Sequence, residues 1–169
     1  MEPKREKQLA VTNFIYCGDQ FLFLERPTDA DVDPGRLNGV GGKVESHEDF
    51  VSAVIRETKE ETGYDITTAD IEFCGFIMFE GGYKKDWVNP FFKTKVLSKE
   101  IPGRAEKEKG KLVWLHKDEV LATSNYRLID DLHYIWNDVI AGTHQFFMNV
   151  EVEGRETMIR VKTSQKLKK

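Results

Sequence analysis

Cysteine is scarce: two residues, Cys17 and Cys74, in a chain of 169. Each follows an aromatic residue, which suits burial as a small hydrophobe better than a bridge or a thiolate metal site. Such usage fits a reducing compartment and points to the cytoplasm. Long apolar runs are missing as well. Nowhere do about 18 apolar residues stand together, and the N-terminal MEPKREKQ has charge with no apolar stretch behind it. Neither secretion nor membrane insertion is expected. Nor is there an excess of positive charge, since 25 Lys and Arg against 29 Asp and Glu leave a net charge of −4. A nucleic-acid polymer would find no basic footprint here, whereas a small phosphorylated ligand needs none. The histidines, His47, His116, His133 and His144, show no metal-ligand spacing and no pairing with a Ser or Cys nucleophile.

What is present is an ordinary globular composition, 40% apolar and 32% charged, enough for one sizeable core. The expectation is a single domain over 1–169, with 1–7 and 163–169 as flexible tails. Gln8 to Tyr16 and Phe21 to Glu25 are rich in β-branched and aromatic residues around a Cys17-Gly18-Asp19-Gln20 turn and read as a hairpin. Arg26 to Leu37 holds Pro27, Pro34 and Gly35 without periodicity and reads as a long loop, a type that often carries function. Its Asp29, Asp31 and Asp33 alternate like the first ligands of a calcium loop. Pro34 and Val40 stand where Gly and Glu would be needed, so a solvated acidic loop is the better reading.

From Ser46 to Thr62, Val51, Val54, Ile55, Thr58 and Thr62 recur at helical steps, with Ser46 and Asp49 as a capping box and Gly63 as the stop. Ile71 to Glu80 and Trp87 to Leu97 read as strands around Gly81-Gly82, with Pro90 requiring an edge or a bulge. Leu112 to His116 is a short strand. Leu128, Leu132, Ile135, Trp136, Val139 and Ile140 mark a second helix ending at Gly142, and Phe146 to Val152 with Thr157 to Val161 forms a terminal hairpin. Strands interleaved with two helices imply an α/β or α+β sandwich. Trp87, Trp114 and Trp136 are assigned to the core.

The chemistry lies in Gly39 to Tyr64, GVGGKVESHEDFVSAVIRETKEETGY. At about 100° per residue, Glu57, Glu60 and Glu61 share one face of the helix, roughly opposite the apolar stripe. Like charges at this spacing disfavour a helix, so the face is either strongly solvated or a site for divalent cations, and Arg56 and Lys59 dilute the repulsion. Gly39, Gly41 and Gly42 precede the helix, where free N–H groups favour anions.

Gly42, Glu48, Arg56, Glu57, Glu60, Glu61 and Gly63 fall in register with the pattern G-x5-E-x7-R-E-U-x-E-E-x-G-U, in which U is apolar. The segment thus resembles the Nudix box, with Thr58 and Tyr64 departing at two U positions. The resemblance implies a Nudix hydrolase: an α/β/α sandwich with a mixed β-sheet and a metal-binding loop-helix-loop. It implies hydrolysis of a nucleoside diphosphate linked to another group, with Mg²⁺, or Mn²⁺ in its place, held at Gly42, Glu57, Glu60 and Glu61. Arg56 would orient a box glutamate, and Glu48 would support the loop or a further metal. The general base in this family is a box glutamate or an acid on a later loop. Glu57 is the choice here, Glu106 or Glu108 would supply an outer acid, and Lys109 stands where a glutamate is expected.

GRLNGVGGKV, residues 35–44, further resembles the oxidised purine nucleoside triphosphate diphosphatases, the MutT-like subgroup that removes 8-oxo-dGTP. That likeness implies Asn38 in the base pocket and Asp130-Asp131 reading the purine edge, where one carboxyl of a close pair donates and the other accepts. Leu37 and Val40 replace aromatic residues of the subgroup. Arg26 and Lys43 are candidate phosphate contacts. The nucleotide is the expected partner, with homodimers frequent among Nudix proteins. Two other functions stay open: hydrolysis of ADP-ribose or a nucleotide sugar, and nucleotide binding by a regulator without turnover.

Overall fold

A computed structural model describes residues 5–82, 84–104, 109–122, 127–153 and 158–169. Its centre is strand β1 (Lys7–Cys17), whose alternating side chains decide what each face of the sheet meets. Val11 and Ile15 join one apolar cluster and Phe14 the other. Helix α1 (Phe50–Thr62) supplies Ala53 and Val54 to the first cluster, against Leu22, Val40 and Phe92. Helix α2 (Leu132–Ala141) supplies Leu132, Ile135, Trp136 and Val139 to the second, where Trp136 meets Phe14 and Phe21 edge-on. A mixed sheet between two helices is the α/β sandwich expected.

The remaining strands are β2 (Gln20–Glu25), β3 (Arg36–Asn38), β4 (Val40–Lys43), β5 (Ile71–Glu80), β6 (Asp86–Lys95), β7 (Lys111–His116), β8 (Arg127–Leu128), β9 (His144–Glu153) and β10 (Met158–Lys168). Their order is β10-β9-β5-β6-β1-β2-β3-β8, with β4 pairing on β1 and β7 on β2. The β1–β6, β5–β9 and β3–β8 pairs are parallel and the rest antiparallel.

Several elements differ from the sequence reading. Helix α1 begins at Phe50, not Ser46: Asp49 alone caps it, accepting from Ser52 N at 2.8 Å. The preceding residues form a turn in which Glu45 N donates to Glu48 Oε2 at 3.0 Å and His47 takes φ 68°. Gly63 ends the helix as expected, at φ 82°, a left-handed conformation that glycine adopts without steric cost. Pro90 lies in a strand between two neighbours, not at an edge. It is tolerated because the β1–β6 ladder lapses between Leu9–Val88 and Thr12–Phe91, and β5 bulges between Phe73 and Gly75. Leu128 belongs to β8 and not to the second helix.

The C-terminal tail also needs correction, because Thr163–Lys168 continue β10 and pair along β9 as far as Lys168 with His144. A lysine-rich edge strand keeps such an edge from pairing with other chains, which is why its composition imitates a frayed tail. Of the N-terminal tail, residues 1–4 lie outside the described residues, and Lys7 already begins β1. Gly154 and Arg155, read as the turn of the terminal hairpin, are also outside them.

Candidate functional site

The antiparallel pairing of β4 with β1 sets Gly41 opposite Thr12 and Gly42 opposite Val11 and brings this segment against the C-terminal half of α1. Gly41 N donates to Glu61 Oε2 at 3.0 Å. A Cβ at Gly42 would lie 2.3 Å from Glu57 Oε1, so a side chain there would push the carboxylate out of its present place. Arg104 donates to the backbone carbonyls of Glu61 and Gly110, each at 2.7 Å. Enclosed in this way, Glu57 is 4% exposed and Glu61 1%. The solvated-face reading of the acidic cluster is therefore wrong for these two, and Glu60 alone of the three keeps substantial exposure.

Arg56 organises the cluster. Its Nε and Nη2 meet the two Glu48 oxygens at 2.9 and 3.0 Å, Nη1 reaches Glu57 Oε1 at 2.9 Å and Glu60 Oε2 at 3.0 Å, and Nη2 also donates to the Lys43 carbonyl. The Glu48 carboxylate beside it raises the Arg56 pKa, and Arg56 in turn lowers that of Glu48. Glu48 is thus a brace of the loop. Lys109 Nζ is 3.1 Å from Glu57 Oε2 and 3.5 Å from Glu61 Oε1. Burial pushes the Glu61 carboxyl up to about 7, against the opposing pull of Gly41 N–H and Lys109.

Among the described residues no three His, Cys, Asp or Glu side chains are gathered as a ready metal cage. What converges is a pair of carboxylates, Glu57 and Glu61, about one cation. That donor set fits Mg²⁺, which is commonly bound by one or two carboxylates with the rest of its shell from water and substrate phosphate.

The two Nudix-box departures have structural partners. Thr58 accepts from Asn13 Nδ2 at 3.0 Å, and Asn13 Oδ1 accepts from Thr94 Oγ1 at 3.1 Å, so a buried polar chain joins α1 to the sheet. Tyr64 keeps its ring in the core and donates its hydroxyl to the Ser98 carbonyl at 2.8 Å.

A cleft of about 1250 Å³ connects this region with the second group of candidates. Arg26, Asn38, Gly42, Lys43, Arg56, Glu57, Glu60, Glu61, Asp130 and Asp131 all line it. Asn38 Oδ1 accepts from Gly39 N at 2.7 Å. Asp130 is paired with Arg36, which also donates to the Leu128 carbonyl. Asp131 is buried at the N-cap of α2, and burial, then the nearby Asp33 charge, pushes its carboxyl up to about 7.

Sequence reasoning missed Arg36, whose buried side chain ties β3 to the start of α2, and Asp33, held at φ 50° in the cleft wall. The two face each other at 3.7 Å, but what places Arg36 in the site is its bonding to Leu128 and Asp130, more than 90 residues away, which no local signal marks. Trp87, assigned to the core, lines the cleft with Phe79 and Ile159. Trp136 is in the core as expected. Glu106 and Glu108, the candidates for an outer acid, lie outside the described residues.

The NUDIX domain family matches residues 6–132, three quarters of the chain. The protein belongs to the NUDIX domain family. Membership of this hydrolase family supports an enzymatic role.

Similar folds occur in a mutator MutT protein from Bacillus halodurans, at 23% identity and TM-score 0.69 over 94% of this chain and 97% of that one. A NUDIX hydrolase from Nitrosomonas europaea matches at 20% identity and TM-score 0.65, over 81% and 90%. An Ap4A hydrolase from C. elegans matches at 19% identity and TM-score 0.60, over 80% and 96%. The Bacillus likeness covers more of the chain than the family match and so extends past residue 132. Among the described residues no helix is long and apolar enough to cross a membrane.

Proposed function

We propose that the protein is a Mg²⁺-dependent nucleotide diphosphatase that hydrolyses a purine nucleoside triphosphate, oxidised or not, to nucleoside monophosphate and pyrophosphate. The observation that carries this reading is the shared cleft. One wall is the acidic face of α1 with Gly42, and another holds Asn38, Asp130 and Asp131. A phosphate chain and a base therefore have separate, chemically suited places in one cavity.

Glu57, Glu60 and Glu61, with Gly42, are the residues that would hold the cation, Mn²⁺ being the alternative. Bound there, a divalent cation neutralises charge developing on phosphate oxygens and makes water a stronger nucleophile at neutral pH. Arg56 fixes the orientation of Glu57 and Glu60 through its Nη1 bonds. Glu57 accepts the proton of the attacking water. Arg26 and Lys43 offer positive charge to the phosphates from the cleft wall.

At the other end Asp130 faces Arg36 as an acceptor carboxylate, whereas Asp131, raised to about 7 by burial, still holds a proton in much of the population at neutral pH. One acceptor and one donor suit a base edge that presents both kinds of group. The aromatic residues Phe79 and Trp87 supply apolar wall for a base.

The test is incubation with Mg²⁺ and a panel of 8-oxo-dGTP, dGTP, ATP and ADP-ribose, with products separated by chromatography. Pyrophosphate and a monophosphate from a purine triphosphate are expected. Cleavage of ADP-ribose alone would retain the cation site and reject the base pocket. Nucleotide binding with no product would point to a regulator.

A further inference from the structure

Lys109 makes contacts that the proposed hydrolysis leaves unused. Its ammonium lies 3.1 Å from Glu57 Oε2 and 3.5 Å from Glu61 Oε1. Both carboxylates are almost fully enclosed, with side-chain exposures of 5% and 1%, while Lys109 is 34% exposed. Whenever both carboxylates are ionised at such depth they repel one another and have lost most of their water, so a cation between them relieves a large cost. Arg56 does not serve this pair as a whole: it bonds Glu57, Glu60 and Glu48, while Glu61 faces Gly41 N and Lys109.

We propose that Lys109 is a built-in counter-cation of the Glu57–Glu61 pair, and that a divalent cation enters by displacing its ammonium from between the two carboxylates. This rests on the divalent-cation reading given above and adds to it a competing group within the same chain. The exchange is ionic: cation–oxygen coordination replaces the ammonium's hydrogen bonds to the two carboxylates, and no covalent bond within the protein is made or broken. A lysine suits it: its compact, strongly hydrated head on a flexible stem can withdraw to solvent, whereas a bidentate guanidinium is held in a fixed geometry. Once displaced, the ammonium remains on the wall of a cleft that also presents Arg26 and Lys43.

Competition of this kind predicts weaker cation binding than the carboxylates alone would give. A unit positive charge a few ångströms from a divalent cation, even at an effective dielectric near that of a protein surface, weakens binding by about tenfold or more. The experiment is a Mn²⁺ titration followed by the electron paramagnetic resonance of free Mn²⁺, on the nucleotide-free full chain. It compares wild type with Lys109→Gln, Lys109→Arg and Glu57→Gln, each checked for fold by circular dichroism.

Lys109→Gln is expected to bind Mn²⁺ about tenfold more tightly than wild type, and Lys109→Arg no more tightly. Glu57→Gln is expected to bind about tenfold more weakly. Unchanged or weaker binding by Lys109→Gln, with Glu57→Gln impaired, would overturn the counter-cation and leave the cation site standing. Wild-type affinity in Glu57→Gln would instead reject the cation site itself. Should Lys109→Gln not fold, the side-chain ammonium resonance of Lys109 in ¹⁵N-lysine-labelled wild type decides. A shift on Mg²⁺ saturation supports displacement, and an unmoved signal overturns it.

Discussion

The guanidinium of Arg56 meets the carboxylate of Glu48 through two parallel bonds of 2.9 and 3.0 Å, so a helix residue grips the turn that leads into its own helix. Because Nη1 of the same group also reaches Glu57 and Glu60, the grip sets the bearing of both acids toward the cleft. A lysine keeps the charge and loses the fork. Arg56→Lys is expected to lower stability by about 1–2 kcal/mol and to cut kcat by more than tenfold, a 1.4 kcal/mol effect on the barrier. Thermal melts and steady-state kinetics on a purine triphosphate measure the two effects separately. A kcat near wild type would remove Arg56 from its positioning role.

Thr58 presents a second case, in which a polar residue occupies a position where the Nudix pattern has an apolar one. Thr58→Val should cost about 1–3 kcal/mol, because it leaves the buried Asn13 amide without its acceptor. Asn13 also serves Thr94, so Thr58→Val and Thr94→Val combined with Asn13→Leu should recover part of that loss. Denaturant midpoints of the single and triple variants provide the check, and a Thr58→Val protein as stable as wild type would contradict the assignment.

The acidic face of α1 is legible in the sequence because helical spacing is local: Glu57, Glu60 and Glu61 lie together whatever surrounds them. Their depth is not legible, since Glu57 and Glu61 meet β4 and the side chains of Arg104 and Lys109, the latter two more than 40 residues away. Gly63 announces its stop through a backbone conformation of its own, but Ser46 looks like a cap only until Asp49 is seen to satisfy the helix end. Residues 163–168 resemble a tail because an edge strand facing solvent needs charge and few apolar side chains. Trp87 and Arg36 acquire their places from the sheet order, which joins strands distant in the chain.

Asp131 offers a prediction in pH. Its carboxyl, normally near 3.8, is pushed up to about 7 in the folded chain, chiefly by burial and then by Asp33. Below the unfolded value both states hold the proton and nothing is lost. As pH rises from about 3.8 toward 7 the unfolded chain releases its proton first, so folding is progressively disfavoured, and above 7 the penalty is complete. Asp131→Asn removes the titration. Its melting temperature should exceed that of wild type by about several degrees at pH 8, with the gap closing toward pH 4. A constant difference across this range would show that Asp131 does not titrate between these limits.

The central claim concerns bond choice and cation dependence in a folded enzyme, and ³¹P NMR reads both at once. Wild-type protein with Mg²⁺ and a purine nucleoside triphosphate should produce one pyrophosphate for each nucleoside monophosphate, with no signal growing when EDTA replaces Mg²⁺. Glu60→Gln, exposed enough to leave the fold intact, should lose most of this turnover. Release of inorganic phosphate with a nucleoside diphosphate, or full turnover by Glu60→Gln, would contradict the account.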